Sequence, residues 1–88
     1  MIERAITILN RLGLHARPAA EFVKVAGKFD CQITLSKDDM EVNGKSIMGV
    51  MTLAAECGSV VVVRANGADA EEAVEALAKV LAKQYTEI

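Results

Sequence analysis

Four consecutive valines, Val60–Val63, restrict the fold of this 88-residue chain more than any other segment. β-Branched residues favour an extended backbone. An apolar run without polar alternation is typical of a strand in the interior of a sheet. The sequence therefore predicts a sheet in which this segment is an inner strand.

Three other segments are predicted to be strands of the same sheet. Ile2–Leu9 is rich in β-branched side chains. Apolar and polar residues alternate over Cys31–Ser36 and again over Met40–Asn43, which is the period of a strand with one buried face. We expect the last two segments to form a hairpin that closes at Asn43-Gly44.

Two helices are predicted between the strands. Pro18, the single proline, is tolerated only in the first turn of a helix, so it places a helix over about Ala16 to Gly27. Ser46 is a suitable N-cap for a short helix over Ile47–Ala54.

A third helix is predicted at the end of the chain. Asp69 and Glu72 resemble a capping box at its start. Apolar residues then recur at helical spacing and predict one buried stripe. The stripe consists of Ala73, Val74, Leu77, Val80 and Leu81.

The predicted order of elements is β-α-β-β-α-β-α in a single domain, residues 1–88, without an internal repeat or a linker. Because two of the strands alternate, one face of the sheet should meet water and the helices should pack on the other face. The predicted class is α+β, an open-faced sandwich with an antiparallel or mixed sheet. With no tryptophan and 3% aromatic residues, its core must be mainly aliphatic.

Composition argues against several classes of function. The net charge of −2 and the scarcity of aromatic residues disfavour a nucleic-acid groove. No segment approaches the ~20 apolar residues of a membrane span, and the N-terminus does not resemble a signal peptide, so we expect a soluble, cytoplasmic protein. Cys31 and Cys57 are isolated and there is one histidine, which makes a metal site improbable. The sequence does not decide whether the two cysteines form a disulfide.

His15 is the main candidate for chemistry. It precedes the predicted start of a helix, where backbone N–H groups and the positive end of the helix dipole attract an anion. The same field favours the neutral, nucleophilic imidazole. Arg17 supplies a permanent cation suited to phosphate oxygens, and Gly13 allows a tight turn before the ring. These residues suggest phosphoryl transfer to His15, although a lone histidine is more often a surface or capping residue.

The sequence predicts a carrier of this group and not a complete enzyme. It contains no Walker-type loop, no carboxylate pair and no Ser–His–Asp set. An 88-residue chain also has little room for a deep substrate pocket. Partner proteins would supply the rest of the reaction, and neither a cofactor nor a metal is expected.

The predicted second helix contains two further candidates. Ser46 is explained as a helix cap, but a helix N-terminus also tolerates a phosphorylated serine. If the core-facing residues are Val50, Leu53 and Ala54, then Met48 and Met51 turn outward with Ile47 at the boundary. Such an excess of apolar side chains suggests either a docking patch or additional core.

Two motifs in these regions resemble those of a known family. Gly13–Ala20, with the sequence GLHARPAA, is similar to the phosphorylation-site signature of HPr, the histidine-containing phosphocarrier family of the bacterial phosphoenolpyruvate-dependent phosphotransferase system. Lys45–Met51, KSIMGVM, resembles the regulatory-serine motif of that family. The match runs essentially from end to end. It implies an HPr-like fold, with a four-stranded antiparallel sheet covered on one face by three helices.

The resemblance also implies a role for each candidate residue. His15 would accept a phosphoryl group from phosphorylated enzyme I, on the ring nitrogen nearer the backbone, and pass it to enzyme IIA components for sugar uptake. Arg17 would stabilise the phosphoryl group. Ser46 would be a target of HPr kinase/phosphorylase, with a catabolite-control regulator as a further partner of this monomeric carrier. The partner-binding surface would consist of Ala20, Lys24, Ile47, Met48 and Met51.

Leu12 departs from the family pattern, in which many members have a small polar residue just before the Gly-Leu-His segment. A side-chain hydrogen bond from this position to the imidazole is therefore not available. Two alternatives stay open: the nitrogen-related branch NPr, which uses the same histidine chemistry for regulation, and a non-catalytic binding module with His15 as a helix cap. An acylphosphatase-like enzyme is disfavoured because no Asn-Arg oxyanion arrangement can be recognised.

Overall fold

The computed structural model describes residues 1–84 and contains the predicted elements in the predicted order. The strands are β1 (Ile2–Thr7), β2 (Gln32–Lys37), β3 (Met40–Asn43) and β4 (Val60–Asn66). The helices are α1 (Ala16–Ala26), α2 (Ile47–Thr52) and α3 (Ala70–Ala82). Within residues 1–84 no helix is long and apolar enough to cross a membrane.

The strands form one antiparallel sheet in the order β1-β4-β2-β3. The valine strand β4 lies between β1 and β2, as the apolar run predicts, and continues to Asn66. Its register pairs Val60 with Thr7 of β1 and Val62 with Ser36 of β2. The first strand is shorter than predicted because Ile8 leaves the regular ladder and exchanges backbone hydrogen bonds with Ser59 and Gly58.

One face of the sheet is open and the other faces the helices. Val61 and Val63 are fully buried under the helices, whereas Val60 is 55% exposed on the open face. Arg64 also lies on the open face, where its guanidinium bridges the carboxylates of Glu3 on the adjacent β1 and Glu41 on β3, on the far side of β2. The predicted open-faced α+β sandwich is confirmed.

The core between sheet and helices is almost entirely aliphatic, as expected. Phe22 of α1 is its largest fully buried side chain. The predicted stripe of α3 is buried throughout. Helix α3 packs on β1, β4 and α1, and α1 also contacts α2, so all three helices share one hydrophobic cluster with the sheet.

The second helix ends earlier than predicted. Ala54 has a positive φ of 51°, a left-handed conformation that an α-helix cannot continue through. Its side chain is consequently exposed, and the prediction that it faces the core is wrong. Ala55 is buried in its place. Helix α1 ends at Ala26 with Gly27 as its C-cap.

The predicted capping box of α3 is also wrong. Asp69 occupies the N-cap position but makes no side-chain cap bond. Its carboxylate accepts hydrogen bonds from the backbone N–H groups of Asp30, at 2.9 Å, and Cys31, at 3.0 Å. Gly67 lets the two segments come this close, since a Cβ there would lie 2.7 Å from Cβ of Cys31. Asp69 therefore ties the start of β2 to the start of α3.

Because of the hydrogen bonds to Asp69, we expect the free energy of unfolding to decrease at acid pH. The hydrogen bond from the N–H of Asp30 is the largest cause that lowers the pKa of Asp69, followed by those from Cys31. A carboxyl whose pKa is lower in the folded protein stabilises the fold fully above its unfolded pKa, about 3.9 for aspartate, and loses that effect as the pH falls through the folded pKa.

We expect Asp69→Asn to lower the free energy of unfolding at pH 7, and the difference from the wild type to narrow below about pH 4. Urea unfolding followed by circular dichroism between pH 7 and pH 3 measures this. Asp39→Asn, in the exposed β2–β3 turn, is the control. A difference for Asp69→Asn that stays constant over the whole range would contradict the proposed contribution.

Candidate functional site

His15 is the N-cap residue of α1, but its side chain does not cap the helix. Its backbone is extended, with φ −87° and ψ −165°, and its carbonyl oxygen accepts a hydrogen bond from the N–H of Ala19 at 3.0 Å. The imidazole is half-buried, and its Nε2 atom is closed off from solvent. His15 is therefore the N-cap by position, while its side chain makes no cap hydrogen bond.

The turn before His15 is held by short hydrogen bonds to the backbone. The N–H of Gly13 donates to the carbonyl oxygen of Asn10 at 2.9 Å, and Nδ2 of Asn10 donates to the carbonyl oxygen of Gly13 at 2.8 Å. The N–H of Leu14 donates to the carbonyl oxygen of Ala55 at 2.8 Å. These bonds place His15 at the end of α1, beside the segment that leads into β4.

Gly13 is required in this turn for two reasons. Its φ of +72° is a left-handed conformation, and a Cβ at this position would lie 2.5 Å from the carbonyl oxygen of Ala55. The glycine that was predicted to allow a tight turn thus also allows the close backbone contact that positions the next two residues.

The N-terminal end of α1 suits an anion. Its first turn contains no acidic residue, and Pro18 lies where a missing N–H costs nothing. The first N–H groups of a helix point out of this end, with the positive end of the dipole. The exposed Arg17 lies in the same turn as His15. Sequence and structure therefore agree that His15 and Arg17 lie together at the N-terminal end of α1.

Ser46 is the N-cap of α2, as predicted. Its Oγ accepts a hydrogen bond from the N–H of Gly49 at 3.2 Å, and its side chain is half-buried. Helix α2 buries Val50, and Leu53 just after the helix is buried as well. The serine therefore has a structural role regardless of any phosphorylation.

The outward residues of α2 form what we call the apolar patch: Ile47, Met48 and Met51. All three are exposed, Met48 the most at 73%, so they are not additional core. Ala20 and Lys24 are exposed on α1, the helix that packs beside α2. The five residues assigned to partner binding thus lie on the surface of two adjacent helices.

Sequence reasoning missed Asn10. The side chain is 2% exposed, the one buried polar side chain in residues 1–84, and it closes the turn before His15. The only available signal was the spacing of an Asn and a Gly between a strand and a helix, which is typical of a turn. Leu12, the residue at which the sequence departs from the expected family pattern, is 62% exposed.

The two cysteines are free thiols, Cys31 buried and Cys57 exposed. Burial is the largest cause that raises the pKa of Cys31, and the nearby Asp69 raises it further, which favours the protonated thiol over the thiolate. Among residues 1–84 no cluster of three metal-binding side chains occurs.

A small open-faced sandwich with a histidine and an arginine at a helix N-terminus suits a protein that carries a phosphoryl group. Comparison with known sequences agrees with this class. The family model PTS-HPr, described as the PTS HPr component phosphorylation site, matches residues 2–83. The chain belongs to the HPr family of phosphocarrier proteins.

Individual relatives match over nearly the full length. Phosphocarrier protein HPr of Cupriavidus necator is 45% identical over 87 residues, 99% of this chain and 98% of that protein. The HPr-like protein Crh of Halalkalibacterium halodurans is 43% identical, with coverage of 96% and 100%. The crystal structure of HPr-C-His from Thermoanaerobacter tengcongensis has a TM-score of 0.88 and 52% identity, and covers 92% of this chain and 91% of that chain. The family resemblance seen in the sequence is confirmed, and with it a general role as a phosphocarrier of the phosphotransferase system.

Two glycines with left-handed backbone test the importance of the contact at Gly13. Gly13→Ala introduces both conformational strain and a clash with Ala55, so we expect it to lower the free energy of unfolding by about 2 kcal/mol or more. Gly58→Ala is the control, since Gly58 has φ +92° but no atom within 4 Å of an added Cβ. Gly58→Ala should lower the free energy of unfolding only by the conformational strain of the alanine, about 1 kcal/mol. Equal losses in urea unfolding would mean that the approach to Ala55 contributes nothing.

Proposed function

We propose that His15 is the residue that carries the phosphoryl group, taking it from phosphorylated enzyme I and passing it to enzyme IIA components for sugar uptake. The observation that carries this proposal is the position of the imidazole at the N-terminus of α1, where it is not used as the helix cap. A ring in that position lies within the positive end of the helix dipole and next to Arg17.

The acceptor atom in this proposal is Nδ1. Nε2 is inaccessible to solvent, so an incoming donor cannot approach it. In the neutral ring the proton resides on Nε2 and the lone pair of Nδ1 attacks phosphorus. The bond between phosphorus and the donor breaks as the bond to Nδ1 forms, and the reverse exchange delivers the group to the acceptor.

Arg17 and the helix end stabilise the charge of the phosphoryl group in both directions. Phosphoryl transfer depends mainly on positioning and electrostatic stabilisation. An arginine offers a planar set of N–H donors that fits phosphate oxygens. The absence of acidic residues from the first turn of α1 leaves these oxygens without a competing carboxylate there.

Partner proteins dock on the exposed surface of α1 and α2 in this proposal. The apolar patch supplies three flexible or branched apolar side chains, and Ala20 and Lys24 extend the surface along α1. Methionine adapts to surfaces of different shape, which suits a carrier that binds donor and acceptor in turn. One chain contains both His15 and this surface, so the carrier acts as a monomer.

Ser46 is proposed as a regulatory site for HPr kinase/phosphorylase, and through it for a catabolite-control regulator. Phosphorylation would place roughly −1.5 to −2 charges at the N-terminus of α2. The helix end tolerates this charge, but Ile47 and Met48 of the apolar patch follow directly in sequence. The similarity to Crh, a relative of HPr, supports a regulatory role for chains of this kind.

His15→Ala should abolish acid-labile labelling by enzyme I and phosphoenolpyruvate, because the acceptor atom is removed. Arg17→Ala should slow transfer by about 10²–10³-fold, the usual loss for one contact to transition-state charge. Both rates are measured in rapid-quench experiments with labelled phosphoenolpyruvate. Lys28→Ala, an exposed cation beyond the far end of α1, is the control and should transfer normally. Undiminished labelling of His15→Ala would refute the assignment.

Ser46→Asp should slow phosphorylation of His15, whereas Ser46→Ala should not, because only the aspartate adds a charge beside the apolar patch. Ser46→Ala also lacks the cap, and we expect it to lose about 1 kcal/mol of stability. The difference in transfer rate between the two variants should shrink at high salt, since the screening length falls to about 3 Å at 1 M. If Ser46→Asp and Ser46→Ala are phosphorylated at His15 at equal rates at low salt, Ser46 is only a helix cap and the regulatory proposal is wrong.

A further inference from the structure

Gln84, the second residue after α3, makes hydrogen bonds to the backbone of the turn before His15. Oε1 of Gln84 accepts a hydrogen bond from the backbone N–H of Arg11 at 3.2 Å, and Nε2 of Gln84 donates to the carbonyl oxygen of Leu9. One side chain thus bonds to a donor and an acceptor two residues apart, across 73 and 75 positions of sequence.

Gln84 lies close to a helix end that is anchored in the core. The buried side chains of Val80 and Leu81 anchor the last turn of α3. The chain then leaves the helix at Lys83, whose backbone is extended, and Gln84 follows directly. Its side chain therefore reaches the turn from a point two residues beyond Ala82, the last residue of α3.

The rest of the turn shows what Gln84 adds. The two ends of the turn are hydrogen-bonded to the segment before β4: Ile8 bonds to Ser59, and Leu14 bonds to Ala55. Asn10 bonds to Gly13 inside the turn. The backbone of Leu9 also receives a long contact from a side chain, 3.8 Å from Sγ of Cys57 to its carbonyl oxygen. Sulfur is a weak donor, so Gln84 is the stronger of the two restraints.

We propose that Gln84 is a positioning residue for phosphoryl transfer, which holds the turn so that the His15 imidazole is presented in one orientation. This inference rests on the proposed role of His15. Transfer requires the attacking nitrogen, phosphorus and the leaving atom to be aligned, and small displacements of the attacking group reduce the rate. Gln84 follows the end of α3, whereas the apolar patch lies on α2, so its loss should impair alignment and leave partner docking unchanged.

The test compares Gln84→Ala with Gln32→Ala, which removes an exposed glutamine at the start of β2. For Gln84→Ala we expect the maximal rate of phosphoryl transfer from phosphorylated enzyme I to fall by about three- to tenfold, the effect of one exposed hydrogen-bonded side chain. The KM for enzyme I should stay within about twofold, as for a change that acts on the reaction step alone. Gln32→Ala should change neither quantity. An unchanged maximal rate for Gln84→Ala, or a rise in KM alone, would overturn the proposal.

Amide hydrogen exchange tests the contact without any phosphorylation, so it separates a failure of this inference from a failure of His15 as the carrier residue. In Gln84→Ala the Arg11 amide should exchange faster, while the Gly13 amide, bonded to Asn10, should change little. If the Arg11 amide exchanges as fast in the wild type as in Gln84→Ala, the bond to Arg11 is not the restraint and the proposal is wrong.

Discussion

The pairing of β4 with both β1 and β2 determines most of this structure. The last strand in sequence lies between the first and the second, so the connection through α1 must pass over β4 and the connection through α2 must pass over β2. All three helices pack on the same face of the sheet. The antiparallel register of β1 and β4, with Thr7 opposite Val60, has a further consequence. The segment that follows β1 meets the segment that precedes β4, and the turn before His15 is built where these two segments touch.

The position of His15 therefore depends on a long-range backbone contact more than on its own helix. Leu14 bonds to Ala55, and Gly13 lies against the same carbonyl group. Only a glycine with left-handed backbone allows that approach. Helix α1 contributes the positive end of its dipole, but the contact with Ala55 determines where that end lies relative to the sheet.

The parts of the fold that could be predicted from sequence are those that depend on local periodicity. The valine run, the alternating strands and the buried stripe of α3 follow from the spacing of apolar side chains alone. His15, Arg17 and Ser46 were recognisable because each lies within a short motif at a helix start. The end of α2 could not be predicted, since the left-handed backbone of Ala54 has no signal comparable to a glycine.

The remaining errors and omissions concern side chains whose partners are distant in sequence. Asp69 resembles a helix cap in sequence. Only the fold shows that its carboxylate instead accepts hydrogen bonds from the N–H groups of Asp30 and Cys31. Asn10 and Gln84 have ordinary polar side chains, and their roles exist only once β1, β4 and α3 are assembled.

The location of Ser46 explains how a modification at a helix cap could act on a surface without altering the fold. Its Oγ bonds to Gly49 at the start of a helix whose position is determined from the other side by buried Val50. The same short helix presents Ile47, Met48 and Met51 outward. A charge added at the cap is stabilised by the helix end, and the buried side chains hold the helix in place. In the proposed regulation, the charge would therefore act on a protein that docks on the apolar patch, where an unpaired charge must lose its hydration for the interface to form.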